Sequence, residues 1–242
     1  MTIPEPVSSL SADPAGAGCM ATYRLVRNLC ADVLASGYEP DPGLLLGAAR
    51  VRPTASESDL ERIPAVGPVL VAAGAAYGAL EALAASFLLD EIRPDVKVVA
   101  DRFLAVAPNL RPRFVASDPW DRRRAAPANV RALGQGLAWL RSGGLLAAFV
   151  DQDAWTAAVR LARLAGAAVV PAAVTRPQTQ NPESGAIELR FGAPVGSERL
   201  ARFALDADAA AYLCWRTCEL AGRHRAALRL VPRLDPNRAI VN

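Results

Sequence analysis

The sequence predicts an α/β fold, a mostly parallel central sheet flanked by helices in a single domain. Three observations carry this expectation. Short β-rich runs alternate with helical apolar patterns from residue 66 to residue 191. The chain has 242 residues, 52% of them hydrophobic and 21% charged, which suits a chain that buries one large core. No internal repeat and no linker divides it.

Taken in order, residues 1–18 (MTIPEPVSSLSADPAGAG) lack the positive start and continuous apolar stretch of a signal peptide. They read as a loosely held leader before a domain over residues 19–242. Tyr23, Val26, Cys30, Val33 and Leu34 stand at helical spacing, and Gly37 stops that helix. Residues 38–60 carry no clear pattern. Ile63 to Leu80 is free of charge and long enough for a membrane span, but Pro64, Gly67, Pro68, Gly74 and Gly78 interrupt it. It parses instead as turn, strand buried on both faces (GPVLVAA, 67–73), glycine loop and helix. That helix carries a stripe of Leu80, Leu83, Ala84, Phe87, Leu88 and Ile92 and ends before Pro94. Strands are expected at 96–100 and 113–116. Next comes an amphipathic helix at 125–141 on Val130, Leu133, Leu137 and Leu140, stopped by Gly143 and Gly144. A strand at 145–150, a helix at 155–164 closed by Gly166 and a strand at 168–174 follow. Ile187, Leu189 and Phe191 alternate with polar residues, as in an edge or half-exposed strand. A last helix is expected near 207–224.

Charge and cysteine content narrow the function classes. The net charge is +3 with both signs mixed, too mild for a concentrated nucleic-acid face. Lys97 is the only lysine among 27 basic residues. The only histidine is His224, so a mechanism that needs two histidines is excluded. Cys19, Cys30, Cys214 and Cys218 show no CxxC spacing. Reduced thiols in a cytoplasmic protein, with no metal site, are the expected reading.

Several segments in sequence resemble one known family: IPAVGPVLVAAGAAYGALEAL, RPDVKVVADRFL, LRPRFVASDPW, LRSGGLLAAF, VRLARLAGAAVVPAAV and ELRFGAPV. Over roughly residues 57–198 the chain is similar to the lysophospholipid/glycerol-phosphate acyltransferases, closest to the hemolysin-like and ornithine-lipid branch. The resemblance implies acyl transfer from an acyl-carrier protein or coenzyme A thioester to a hydroxyl or amine of a small-molecule or lipid acceptor. It implies no cofactor beyond that co-substrate. No transmembrane segment is expected, and peripheral contact with a bilayer stays open.

The family motif resembles N-H-P-x-G-x-x-D, whose histidine takes the acceptor proton and whose aspartate orients it. Here the stretch reads Gly74, Ala75, Ala76, Tyr77, Gly78, Ala79, Leu80, Glu81. Ala75 cannot move a proton, and Glu81 has no imidazole to orient. The later F-P-x-G motif is also lost, since Phe149 is followed by Val150, Asp151, Gln152, Asp153, Ala154 and Trp155. The scaffold positions remain: Gly67-Pro68, Gly78, Asp118-Pro119, Gly143-Gly144 and Val170-Pro171. Four departures and a shortened loop point to natural divergence rather than to one engineered change. A conventional glycerolipid acyltransferase is disfavoured because its base is missing.

The candidate catalytic groups are therefore carboxylates: Glu81, Asp151 and Asp153. Glu81 follows a glycine turn in an otherwise uncharged run. It reads equally as a buried acid–base group and as a carboxylate stabilised by a helix N-terminus. Asp151 and Asp153 follow a buried strand, where parallel sheets bind ligands, and Asp153 also suits an N-cap. The candidate substrate-binding residues are Ala75, Tyr77, Gly78, Arg113, Asp118, Trp120 and Trp155. Arg111, Arg113 and Arg122 to Arg124 surround the Asp118-Pro119-Trp120 turn, where guanidinium groups suit a phosphate or a solvated face. The sequence leads to two expectations. One is an enzyme on the acyltransferase scaffold that handles protons with carboxylates. The other is a non-catalytic partner that binds an acyl chain or carrier.

Overall fold

The structure, a computed structural model, describes residues 14–74, 78–105, 108–117, 126–150, 154–175 and 185–222. Among these, the helices are α1 (Pro14–Ala35), α2 (Pro42–Ala48), α3 (Glu57–Leu60), α4 (Ala79–Asp90), α5 (Ala126–Arg141), α6 (Trp155–Ala165), α7 (Ser197–Ala201) and α8 (Asp206–Leu220). The strands are β1 (Val51–Thr54), β2 (Val69–Gly74), β3 (Val96–Asp101), β4 (Phe114–Ser117), β5 (Leu145–Val150), β6 (Ala168–Thr175) and β7 (Gly185–Phe191). They form one sheet in the order β1-β7-β6-β2-β5-β3-β4. Every neighbouring pair is parallel except β6 and β7. The expected α/β architecture with a mostly parallel sheet is the one observed.

Helices cover both faces because the central strands alternate between two apolar layers. Val69, Val71 and Ala73 of β2 join Val98 and Ala147 in a layer that packs on α1, α2 and α4. Leu70 and Ala72 join Val115, Leu146 and Val169 in the opposite layer, against α5, α6 and α8. The helix ends follow local chemistry. Asp41 caps α2, accepting from the Leu44 N–H at 3.0 Å, with Pro42 preorganised in the first turn. Gly166 closes α6 in the left-handed region, at φ 65°.

Arg93 ties together the N-terminal ends of the central strands. It is 2% exposed. Its Nε and Nη2 donate to the two Asp95 carboxylate oxygens at 2.8 and 2.6 Å. Its Nη1 donates to the Pro64 and Gly67 carbonyls at 3.0 and 2.9 Å, and its Nη2 also to that of Gly143 at 2.8 Å. One planar fork thus uses all its donors on the segments leading into β2, β3 and β5.

Several sequence expectations need correction. The first helix begins at Pro14, so residues 14–18, expected in the leader, are helical; residues 1–13 lie outside the described residues. The stretch 38–60 holds two short helices and β1. Of the two readings of Ile187, Leu189 and Phe191, the edge strand is wrong, because β1 pairs with β7 on the far side, and the half-exposed strand is the one observed. α4 carries no single stripe. Residues 79–86 and Leu88 and Leu89 are all buried, while Phe87, expected in the core, is the exposed one. A helix packed on two sides needs apolar or small residues all round. In α5, Val130 and Leu133 are 68% and 46% exposed. The buried face instead runs through Ala132, Gly136 and Leu140. A Cβ at Gly136 would stand 2.9 Å from Leu146 Cδ2, so the helix approaches the sheet on its smallest residues. No helix of the described residues is long and apolar enough to cross a membrane.

Candidate active site

The central strand β2 ends at Gly74, in register with Val150 of β5 and Ala173 of β6. In open parallel sheets ligands bind beyond such carboxyl ends. The alternation of β2 turns position 74 toward the α8 side. A Cβ there would lie 2.7 Å from Thr217 Cγ2 of α8 and 3.9 Å from Trp155 Cζ2 of α6. Glycine is required at this place by the close approach of α8. Trp155, the first residue of α6, is buried here, and so is Thr217, whose Oγ1 makes no hydrogen bond among the described residues.

The chain re-enters at Gly78, which occupies the N-cap of α4 with φ 114°, a conformation that disfavours any side chain. Glu81 is then the third helical residue. It is 0% exposed, set among buried Ala79, Leu80, Ala82 and Leu83. The N-terminus of a helix favours a carboxylate through its dipole and its unpaired N–H groups. Glu81 thus stands in the first turn of a helix and fully out of reach of bulk solvent.

The other candidates are distributed as follows. Gly78 and Trp155 stand at the same end of the sheet as Glu81, though on opposite sides of it where Trp155 is concerned. Arg113 is not with them: it forms an ion pair with Asp90 at the far end of α4. The cap position of α6 falls to Ala154 rather than Asp153. Ala75, Tyr77, Asp118, Trp120, Asp151, Asp153, Arg122 to Arg124 and His224 lie outside the described residues.

A cavity of about 800 Å³ lies elsewhere, along β4 on the side covered by α5. Lys97, Arg102, Arg111 and Arg131 line it together with all four residues of β4, and no carboxylate does. Of these, only Arg111 belongs to an arginine cluster visible along the chain; Lys97, Arg102 and Arg131 come from separate elements and become its neighbours only when the chain folds. Cys30, Cys214 and Cys218 are free thiols. Burial pushes the Cys30 and Cys214 thiols up to about 11, the latter also through Cys218, so neither is an activated nucleophile. Among the described residues, no group of three His, Cys, Asp or Glu could hold a metal ion.

No protein-family model matches the chain, and no curated protein matches it.

Proposed function

We propose that this chain is a diverged enzyme on an acyltransferase-like scaffold, acting on an acyl thioester of a carrier protein or coenzyme A, or on a product of one. The observation that carries the reading is Glu81: a fully buried carboxylate in the first turn of α4, just beyond the carboxyl end of the central strand. In the resembling family this position holds the carboxylate that orients the base; with the base position taken by Ala75, Glu81 is the carboxylate left to take the proton. An amine acceptor suits a site without imidazole, since an amine attacks a thioester carbonyl with less help than an alcohol. In that reaction the C–N bond forms, the C–S bond breaks, the amine proton passes to the Glu81 carboxylate and the thiolate departs. Asp151 and Asp153 are the alternative proton acceptors from the loop after β5.

The test is release of free thiol from acyl-carrier and acyl-coenzyme A thioesters in the presence of amine and alcohol acceptors. Glu81→Gln keeps the shape of the side chain and removes its basicity. We expect it to lower turnover by about 10²–10⁴-fold, the range contributed by a positioned acid–base group. Unchanged turnover in Glu81→Gln would remove this residue from the mechanism. A second reading, a non-catalytic partner for an acyl chain or carrier, is favoured by the location of the cationic cavity away from Glu81. Thioester binding with no thiol release would select it.

A further inference from the structure

Phe114, Val115, Ala116 and Ser117 all line the cavity, so it follows β4 over its whole length on the side of α5. β4 is the last strand of the sheet, and among the described residues nothing pairs with its outer side. Its register with β3 sets which backbone groups are used. The Ser117 carbonyl accepts from the Arg102 N–H at 3.1 Å, so Ser117 and, two residues back, Val115 direct their backbone groups to β3. Phe114 and Ala116 direct theirs outward.

Both ends of this edge are cationic. Lys97, paired next to the start of β4, and Arg111, in the turn before it, mark one end. Arg102, just beyond the end of β3, marks the other. α5 runs back from the carboxyl end of β4 toward the start of β5, which places Arg131 toward the Arg102 end and Trp139 at the Lys97 end. The Lys97 Nζ lies 4.6 Å from the centre of the Trp139 ring. Among the described residues, none of these four cations forms an ion pair. Pairing with a second copy of this edge would bring eight like charges together, so the charge pattern opposes self-association.

We infer that this edge docks an extended acidic segment of a partner protein, which adds to the sheet as a strand beside β4. Main-chain bonds to Phe114 and Ala116 supply affinity, and the four cations select carboxylates along the added strand. A four-residue strand spans about 13 Å, enough for a segment of four or five residues. The inference stands apart from the thioester reading, since it concerns another place in the molecule and is scored without turnover.

The experiment uses an arrayed set of fluorescein-labelled octapeptides with Glu at every second position, read by anisotropy at low and at physiological salt. Saturable binding is expected, together with slowed hydrogen exchange at the Phe114 and Ala116 amides. Ala116→Pro removes an outward N–H without touching the pairing to β3 and should weaken binding at least tenfold. Arg111→Gln with Arg131→Gln, both on exposed side chains, should do the same. Arg24→Gln with Arg52→Gln, an equal charge loss on exposed side chains away from this cavity, should stay within twofold. An analogue N-methylated at alternate residues, with the same charge, should lose binding. Several results would overturn the inference: no saturable binding by any acidic peptide, equal binding of the N-methylated analogue, equal loss in the control pair, or competition by pyrophosphate alone at equal strength.

Discussion

Arg93 commits its whole guanidinium to the segments that lead into three strands, and its partner Asp95 gives an acid-sensitive signature. The Arg93 hydrogen bonds hold the Asp95 carboxyl below its ordinary value, against a smaller opposing effect of burial. A carboxyl depressed in the folded state stabilises fully above its unfolded value of about 3.9, and the contribution is lost as pH falls through the lower folded value. Asp95→Asn should therefore cost about 2 kcal/mol at neutral pH, the range of a hydrogen bond to a charged group. It should also flatten the loss of stability as pH falls below about 4. Urea unfolding as a function of pH checks both. Ser86 gives the opposite sign. Its hydroxyl is fully buried in α4 and makes no hydrogen bond among the described residues. Ser86→Ala removes an unsatisfied group and improves helix propensity, so it should stabilise by about 1 kcal/mol and raise Tm by about 2–4 °C.

At the scale of elements, the contact between β2 and α8 is set by one missing methyl group. Gly74→Ala places a Cβ against Thr217 Cγ2, the branch of a stiff side chain next to the backbone of α8. We expect a loss of about 1–3 kcal/mol from overpacking. Thr217→Ser in the same chain should restore most of it, since it removes the clashing methyl group. Thermal unfolding of the two single variants and the double variant measures the coupling. The strands β2, β3, β5 and β6 were legible because each is a short apolar run between breakers. The complete buried faces of α4 and α5 were not. In α4 the apolar pattern has no polar side to reveal its orientation. In α5 the expected Leu137 and Leu140 do meet the core, but Ala132 and Gly136 complete the buried face while Val130 and Leu133 face outward, which periodicity of large residues does not show. β1 was missed because VRPT is short and holds a proline, a residue tolerated on an edge strand. The Asp41-Pro42 pair is a helix start written in the sequence of residues 38–60, an N-cap side chain followed by a proline in the first turn.

At the scale of the whole molecule, the burial of Glu81 was legible, because a lone acid in an uncharged run has few solvated places to go. The basic edge at β4 was not, because Lys97, Arg102, Arg111 and Arg131 form no motif along the chain. The sheet order has a further consequence for how the protein comes into being. β1 is the first strand of the described chain, yet its only partner, β7, is the last, with Val51 opposite Gly185. During synthesis the early strand must wait, unpaired, until β7 has left the ribosome. Such distant pairing slows folding and exposes the nascent chain to misassociation. A fragment ending at residue 184 should thus remain protease-sensitive through residues 51–54, whereas one ending at residue 222 should be protected there, as limited proteolysis of the two purified fragments would show.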